Sequence, residues 1–449
     1  MEKQEAELIF IPFPIPGHLL ATIELVKLIL THGRRRIHTI TILHWGLPIF
    51  PPSDNDASLQ TLAKTESRIR IVTLPELQNP PPMEFFLKAP EYYILEFVKK
   101  MVPSVRDAVS TVLSSSRDGS DTARVAGIVL DMFCVPLMDV GNEFHLPSYI
   151  FLTCNAGFLC LVKHVQERHR RVKSGFDRSS GEEENIIPGY VTSVPTKVLP
   201  LGLLTSEPYD TWVDMTESGS DSLLQRSFDF GPIGARSGHD VARQATRVIG
   251  SVPLFRELDE SPRNSDQGDS SSFRDRRLQI PLVYSTDPKD YPSLSEILPD
   301  GFLNRVSGLG FVCGWAPQVE ILAHKAIGGF LSHCGWNSIL ESLRFGVPIA
   351  TWPMFAEQQL NAFTMVKELG LALEMRLDYL LADGEIVKAD EIARAVRSLM
   401  EGEDVPRRIL KEIAGAAKEA VMDGGSSFVA IDRFIDKVVV SAMDCSKSR

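Results

Sequence analysis

Apolar positions in the first third of the chain follow two spacings. Continuous apolar runs predict buried strands, and apolar residues that recur every three or four positions predict helices. The predicted strands are Glu7–Pro14, His38–His44, Arg68–Leu74, Val125–Phe133 and Ser148–Thr153. The predicted helices are Leu19–Leu30, Tyr92–Leu113 with a kink or break at Pro103, and Ala156–Val165. Strands that alternate with helices are typical of a parallel, doubly wound sheet.

This pattern is interrupted in the middle of the chain. Residues 218–277 are largely polar with weak strand signals, which is the composition of an irregular linker. A second α/β pattern follows, with strands at Gln279–Tyr284, Gly310–Cys313, Ile327–Ser332, Pro348–Trp352 and Ala372–Glu374 and helices at Ala389–Met400, Pro406–Val421 and Phe428–Met443. We therefore predict domains at residues 1–217 and 278–427, joined by the linker 218–277 and followed by a C-terminal helix in residues 428–449.

The composition narrows the class of protein. A chain of 449 residues with 44% hydrophobic and 23% charged residues indicates a globular protein of two or three domains. The formal charge of −11 argues against nucleic acid as a partner. The six cysteines show no CxxC or zinc spacing, which favours reduced thiols in the cytosol. Since the sequence shows neither a signal peptide nor a long apolar run, we expect a cytoplasmic protein without stable membrane insertion.

Two polar residues lie at the carboxyl ends of strands in the predicted N-terminal sheet or in the loops just after them. His18 comes directly after the turn Pro16-Gly17 at the start of a helix, and Asp131 lies near the end of the fourth strand. Ligands of open α/β sheets bind at the carboxyl ends of the strands. Asp131 could accept a hydrogen bond from Nδ1 of His18 while Nε2 removes a proton from a substrate. The simpler interpretation, a helix-capping histidine and a turn aspartate, stays open at this point.

The densest group of chemically active residues is Trp315–Gln358. Within it, a strand ends at Ser332 and a helix begins shortly afterwards, where free backbone N–H groups and the helix dipole favour an anion. Asn337 and Ser338 are good capping residues, and Glu341 stands three positions after Ser338, the spacing of a capping box. The stretch is compatible with a phosphate site and equally with a well-capped helix.

Other motifs offer no competing chemistry. The glycines around Gly308 have the wrong spacing for a dinucleotide fingerprint and precede a strand, so an oxidoreductase is not supported. There is neither a P-loop nor a G-x-S-x-G elbow. The stretch Asp54-Asn55-Asp56 is better explained as a polar turn between two strands than as a metal-binding pair. We therefore predict no metal site.

The stretch Trp315–Gln358 closely resembles the signature of plant secondary-product UDP-glycosyltransferases, an inverting family with the GT-B fold. The match includes WAPQ, HCGWNS, Glu341 and the closing Glu-Gln. PGH at Pro16–His18, LDMFC around Asp131 and the late DGGSS are also similar to family motifs. The resemblance implies two Rossmann-like domains facing a cleft, the first for the acceptor and the second for the UDP-sugar. It also implies that the C-terminal helix packs back on the first domain.

The resemblance also implies roles for ten donor-binding residues. Uracil would stack on Trp315 and be hydrogen-bonded by the Ala316 backbone and Gln318, and Glu341 would accept the ribose hydroxyls. The residues that would hold the diphosphate, in place of a metal, are His333, Asn337 and Ser338. The residues that would contact the sugar are Trp336, Glu357 and Gln358, of which the last favours glucose in this family.

The resemblance finally implies a function. His18, supported by Asp131, would deprotonate an acceptor hydroxyl, and a monomeric enzyme would make a β-O-glucoside from UDP-glucose and a small lipophilic phenolic, flavonoid or terpenoid. Aromatic residues that could line the acceptor pocket, or equally the core, are Phe13, Phe85, Phe86, Tyr92, Phe133 and Phe151.

One alternative to an active enzyme stays open. The family's opening strand and loop of the second domain, of the type VVFLCFGS, is absent between Pro253 and Tyr284. The chain could therefore be an impaired or truncated member that binds UDP-sugar weakly or not at all.

Overall fold

A computed structural model describes residues 5–33, 36–48, 54–88, 90–118, 124–177, 184–204, 209–210, 213, 282–283, 298, 300–308, 310–313, 316–380, 385–402 and 407–444. The predicted linker 218–277 lies outside these residues, as does nearly all of the stretch Pro253–Tyr284. The chain forms two compact units, the first from Met1–Phe255 with Gly328–Arg449 and the second from Arg256–Ile327. The predicted boundaries of the domains remain a prediction.

The first unit contains a five-stranded sheet with the order β3-β2-β1-β4-β5. Its strands are β1 (Ala6–Ile11), β2 (Ile37–His44), β3 (Ile69–Thr73), β4 (Arg124–Asp131) and β5 (Ser148–Phe151). All neighbouring strands are parallel, which confirms the predicted sheet. Because β1 and β4 are neighbours, with Ile11 opposite Leu130, the chain segments that follow them begin side by side.

The helices of this part are α1 (Pro16–His32), α2 (Asp54–Thr65), α3 (Met83–Lys88), α4 (Pro90–Asp118), α5 (Met138–Glu143), α6 (Ala156–Val172) and α7 (Leu201–Leu204). The polar turn predicted at Asp54–Asp56 was wrong, because these residues form the first turn of α2. Pro103 lies inside α4, so the helix is not broken there, and buried Phe97, Met101 and Val105 keep one face in the core across it. A kink at Pro103 stays a prediction.

Alternate residues of the central strand β1 serve two cores. Leu8 and Phe10 belong to the cluster that includes α1, whereas Ile9 and Ile11 belong to the cluster that includes α4. All four are at most 1% exposed. Burial on both faces explains why this strand is a continuous apolar run in the sequence.

A short antiparallel pair follows, formed by β6 (Glu184–Asn185) and β7 (Val194–Pro195). In the second unit, the described residues form the parallel pair β8 (Leu282–Val283) and β9 (Val312–Cys313). They also form the helices α8 (Phe302–Val306) and α9 (Gln318–Ala323). Only the pair Leu282–Val283 of the strand predicted at Gln279–Tyr284 is therefore described.

The C-terminal part of the first unit has its own parallel sheet of three strands, β10 (Phe330–Ser332), β11 (Ile349–Thr351) and β12 (Ala372–Leu373). Its helices are α10 (Trp336–Phe345), α11 (Gln358–Phe363), α12 (Ala389–Glu401), α13 (Arg407–Val421) and α14 (Ser426–Asp444), and a π-helix at Thr364–Glu368 continues α11. One hydrophobic cluster joins this part to α6 and includes Leu161, Ile339 and Phe363. The C-terminal sheet thus shares a core with α6.

The C-terminal helix α14 packs against the N-terminal sheet. Ile431, Phe434 and Val438 lie in the same core as β1 and α1, and Phe434 meets Tyr149 edge to face at 5.3 Å. Arg36, just before β2, forms ion pairs with Asp432 and Asp436, the latter at 2.6 Å. Within the described part of the chain, no helix is long and apolar enough to cross a membrane.

The docking of α14 can be tested with one substitution at two sites. Val438 is 0% exposed and Val440, two residues later, is 56% exposed. We expect Val438→Ala to lower the free energy of unfolding by about 2 kcal/mol, because it removes two buried methyl groups and leaves a cavity. Val440→Ala should change it by less than about 0.5 kcal/mol. Equal effects in denaturant unfolding would contradict this packing.

Candidate active site

His18 and Asp131 come together where α1 begins and β4 ends. Nδ1 of His18 lies 2.8 Å from Oδ2 of Asp131, and the other oxygen of Asp131 accepts the backbone N–H of Phe133 at 2.9 Å. The side chain of Asp131 is fully buried, whereas that of His18 is 17% exposed. Because Asp131 accepts the proton of Nδ1, the neutral imidazole keeps Nε2 as its basic nitrogen.

Thr153 is a contact of His18 that sequence reasoning missed. Its hydroxyl lies 3.1 Å from Nδ1 and 3.5 Å from Nε2 of the imidazole. Thr153 follows β5, which pairs with β4 so that Phe151 stands opposite Asp131. The signal available in the sequence was its place after a strand, but only the strand order puts that place beside Asp131.

Two aromatic rings hold the imidazole of His18. The Phe133 ring stacks on it with centroids 5.2 Å apart, and the Phe13 ring meets it edge-on at 6.0 Å. Phe13 also packs on Trp45, whose indole N–H donates to the Pro12 carbonyl at 3.0 Å. The sequence singled out both phenylalanines but missed Trp45.

The other aromatic residues predicted for the acceptor pocket lie in different surroundings from Phe13 and Phe133. Phe85 and Tyr92 meet edge to face at 5.3 Å and are each 38% exposed, and Phe86 packs on Tyr93. Phe151 lies instead in the core that includes α14, because the pleat of β5 directs it to that face of the sheet. It therefore belongs to the core and not to a pocket near His18.

The charges around His18 change its pKa. Burial by itself lowers the pKa of the imidazole, but the charge and hydrogen bond of Asp131, with the charge of Glu357, raise it above its ordinary value of 6.5. Glu357 belongs to the C-terminal part of the same unit. The imidazolium form is thus favoured by carboxylates from both parts.

The turn between β10 and α10 differs from the predicted capping box. Gly335 is the N-cap, so α10 begins at Trp336 and Asn337 and Ser338 are already inside the helix. The chain turns at Cys334, which has φ of 63°, and the N–H of Cys334 donates to the Ser332 hydroxyl at 3.0 Å. Glu341 lies farther along the same helix, where it is buried. The helix begins earlier in the chain than predicted, because the left-handed conformation of Cys334 and not a polar capping residue ends the turn.

His333 folds over this turn. A Cβ atom on Gly335 would lie only 2.5 Å from its Nε2, so the ring packs closely on this glycine and would have to move if the residue carried a side chain. Desolvation lowers the pKa of His333. The ring is therefore neutral near pH 7 and can serve an anion as a hydrogen-bond donor.

The starts of α10 and α1 are in direct contact. Nδ2 of Asn337 donates to the carbonyl of Gly17 at 3.0 Å, next to His18. The Asn337 Oδ1 is buried and, within the described residues, makes no hydrogen bond. The residues around His18 and those at the start of α10, which are far apart in the sequence, are therefore brought together.

The remaining predicted donor residues of this unit lie on α10 or at the start of α11. Trp336, Ser338 and Glu341 are at most 8% exposed. Oε1 of Gln358 accepts the backbone N–H groups of Met354 at 2.9 Å and Phe355 at 3.2 Å. Its amide nitrogen is thus the end of the side chain that can donate to a ligand.

The predicted uracil-binding residues lie in the second unit. Trp315 lies outside the described residues, Ala316 is 8% exposed and Gln318 is the first residue of α9. Among the residues that the structure describes, no three His, Cys, Asp or Glu side chains come close enough to hold a metal ion.

Comparisons with known proteins agree on one family. The family model "UDP-glucoronosyl and UDP-glucosyl transferase" matches residues 298–405. The Arabidopsis thaliana protein UDP-glycosyltransferase 71C2 is 60% identical over 97% of this chain and 99% of its own. Flavonol 3-O-glucosyltransferase UGT71C1 of the same plant is 56% identical over 98% of each chain.

A solved structure gives the same result. The crystal structure of Medicago truncatula UGT71G1 complexed with UDP-glucose has a TM-score of 0.76 and 33% identity, over 97% of this chain and 99% of the other. The predicted fold class, α/β of the GT-B type, and the predicted enzyme class are thereby confirmed. With a relative 60% identical over nearly the full length of both chains, the protein belongs to the plant secondary-product UDP-glycosyltransferases.

Proposed function

We propose that this enzyme transfers glucose from UDP-glucose to a hydroxyl of a small lipophilic plant metabolite and forms a β-O-glucoside. The observation that carries the proposal is the 2.8 Å contact between His18 Nδ1 and Asp131 Oδ2. This contact leaves Nε2 of His18 as the basic nitrogen, and the residue next to His18, Gly17, contacts the start of α10. Because a relative 56% identical is a flavonol 3-O-glucosyltransferase, flavonols are the first acceptors to test. We also propose that the enzyme acts as a cytoplasmic monomer.

In the proposed reaction, Nε2 of His18 takes the proton of the acceptor hydroxyl. The oxygen attacks the anomeric carbon on the face opposite UDP, while the bond from that carbon to the diphosphate oxygen breaks and UDP leaves with the electron pair. Asp131 stabilises the imidazolium and fixes the tautomer. A single displacement inverts the α-linkage of UDP-glucose to a β-glucoside.

The donor would be held by charge-stabilising groups at the start of α10. Backbone N–H groups at this helix end, the neutral ring of His333 and the hydroxyl of Ser338 suit the diphosphate. Glu341 suits the ribose hydroxyls, and Trp336, Glu357 and Gln358 suit the sugar. Asn337 donates one N–H of its amide to Gly17 and keeps a second N–H for the diphosphate, while its buried Oδ1 suits a sugar hydroxyl as the donor.

For uracil we propose Trp315, with the Ala316 backbone and Gln318, on the family resemblance alone. A second candidate is an impaired or truncated member that binds UDP-sugar weakly or not at all. It is favoured by one observation, since the 478 aligned positions of the match to UDP-glycosyltransferase 71C2 exceed the 449 residues of this chain by 29. At least that many positions of the alignment therefore have no counterpart here.

Calorimetry with UDP and a UDP-release assay with a flavonol panel separate these candidates. We expect one UDP bound per chain and release of UDP that depends on both UDP-glucose and a flavonol. Stoichiometric binding of UDP without turnover on any acceptor would contradict the first candidate and support the second. An absence of UDP binding would contradict the proposed donor site.

A further inference from the structure

Asn361 on α11 has a fully buried side chain that touches three distinct parts of the site. Its Nδ2 donates to the carbonyl of Cys334 at 3.0 Å and lies 3.4 Å from Oε1 of Glu357. Its Oδ1 accepts Nδ2 of Asn155 at 2.5 Å. The three contacts are with the turn before α10, with a residue proposed for the sugar and with the part of the unit that carries His18.

Asn155 is itself firmly held. It is 2% exposed, and its Oδ1 caps α6 by accepting the N–H of Phe158 at 2.7 Å. It stands two residues after Thr153, whose hydroxyl contacts the imidazole of His18. A hydrogen bond from Nδ2 of Asn155 therefore links Asn361 to the backbone that places Thr153 beside His18.

We propose that Asn361, held by Asn155, is a positioning residue for sugar transfer that fixes Glu357 and the Cys334 turn relative to His18. This inference rests on the proposed function. The Cys334 carbonyl belongs to the same planar peptide group as the N–H of the N-cap Gly335, so its direction sets that of this N–H. Fixing Glu357 also fixes a charge that acts on His18.

Only an amide satisfies all three contacts. The site needs two N–H donors for the Cys334 carbonyl and the Glu357 carboxylate, and an acceptor for Asn155. An aspartate would place a carboxylate against Glu357, and an aliphatic residue would leave Asn155 and Cys334 with unpaired buried groups. Displacement of reacting groups by about 1 Å can cost about 10²-fold in rate. Loss of the hydrogen bonds of Asn361 is therefore expected to slow turnover.

The test compares Asn361→Ala, Asn155→Asp and the double variant. Asn155→Asp keeps an oxygen that caps α6 but loses the N–H donated to Asn361, so it cuts the link and preserves the helix start. Steady-state kinetics with UDP-glucose and the best acceptor would be measured together with UDP affinity by calorimetry. The control is Asn142→Ala, an exposed asparagine on α5.

We expect each single variant to lose about 10²-fold in kcat, with UDP affinity reduced less than about threefold. The double variant should be no slower than the slower single variant, because both remove the same link. Asn142→Ala should match the wild type. The inference alone is overturned if the wild type turns over and Asn155→Asp keeps its kcat, or if the losses in kcat multiply. A wild type without UDP release on any acceptor overturns the proposed function and this inference with it.

Discussion

His18→Ala is expected to lower kcat for glucoside formation by about 10²–10⁴-fold, the contribution that a positioned general base makes. The imidazole is the only basic group that the structure places against Asp131 among the described residues, with Nδ1 at 2.8 Å from Oδ2. Without it, the acceptor hydroxyl would have to attack while still protonated. UDP affinity should remain close to that of the wild type, because the diphosphate is proposed to bind at the start of α10 and not through the imidazole of His18.

A matched control is His145→Asn. His145 is an exposed histidine in the left-handed conformation, with φ of 55°, which asparagine tolerates well. It should retain the kcat of the wild type. Initial rates of UDP release at saturating UDP-glucose would provide the comparison, and a His18→Ala enzyme that keeps more than half of the turnover would contradict the assignment.

Asp131→Asn is expected to lower kcat by about 10²–10⁴-fold and also to change the pH dependence. The active form of His18 is neutral, so kcat/KM should fall as the pH decreases through the pKa of His18, which lies above 6.5 in this protein. Asp131 is the largest of the influences that raise this pKa. Its removal should therefore shift the acid limb of the profile to lower pH while the maximum rate drops.

The control for Asp131→Asn is Asp139→Asn, an exposed carboxylate in the first turn of α5. Profiles of kcat/KM against pH for both variants and the wild type would separate the two effects. Asp139→Asn should change neither the rate nor the limb. An acid limb that stays in place in Asp131→Asn would show that His18 is not the titrating base.

The sequence predicted the N-terminal sheet well because its central strands β1 and β4 are buried on both faces and are therefore largely apolar runs. The place of Asp131 at the end of β4 and of His18 at the start of α1 could also be predicted. Their contact could not be predicted with the same certainty, since it depends on β1 and β4 being neighbours in the sheet. Strand order follows from the packing of distant segments and leaves little trace in local spacing.

Other errors have local physical causes. The predicted capping box was wrong because Cys334 adopts a left-handed conformation. Glycine or asparagine at this position would have indicated such a conformation in the sequence, whereas cysteine does not. Thr153, Asn155 and Asn361 were missed because their roles depend on hydrogen bonds across the unit and not on a motif. Short polar side chains of this kind are explained equally well by caps and turns in a sequence taken alone.

The most direct test of the central claim is the configuration of the product. Wild-type enzyme would be incubated with UDP-glucose and a flavonol, and the anomeric proton of the glucoside would be followed by NMR from the first turnovers. Inverting transfer by His18 predicts a β-glucoside from the start of the reaction with the wild type and almost none with His18→Ala. An α-glucoside, or equal product from both proteins, would contradict the account.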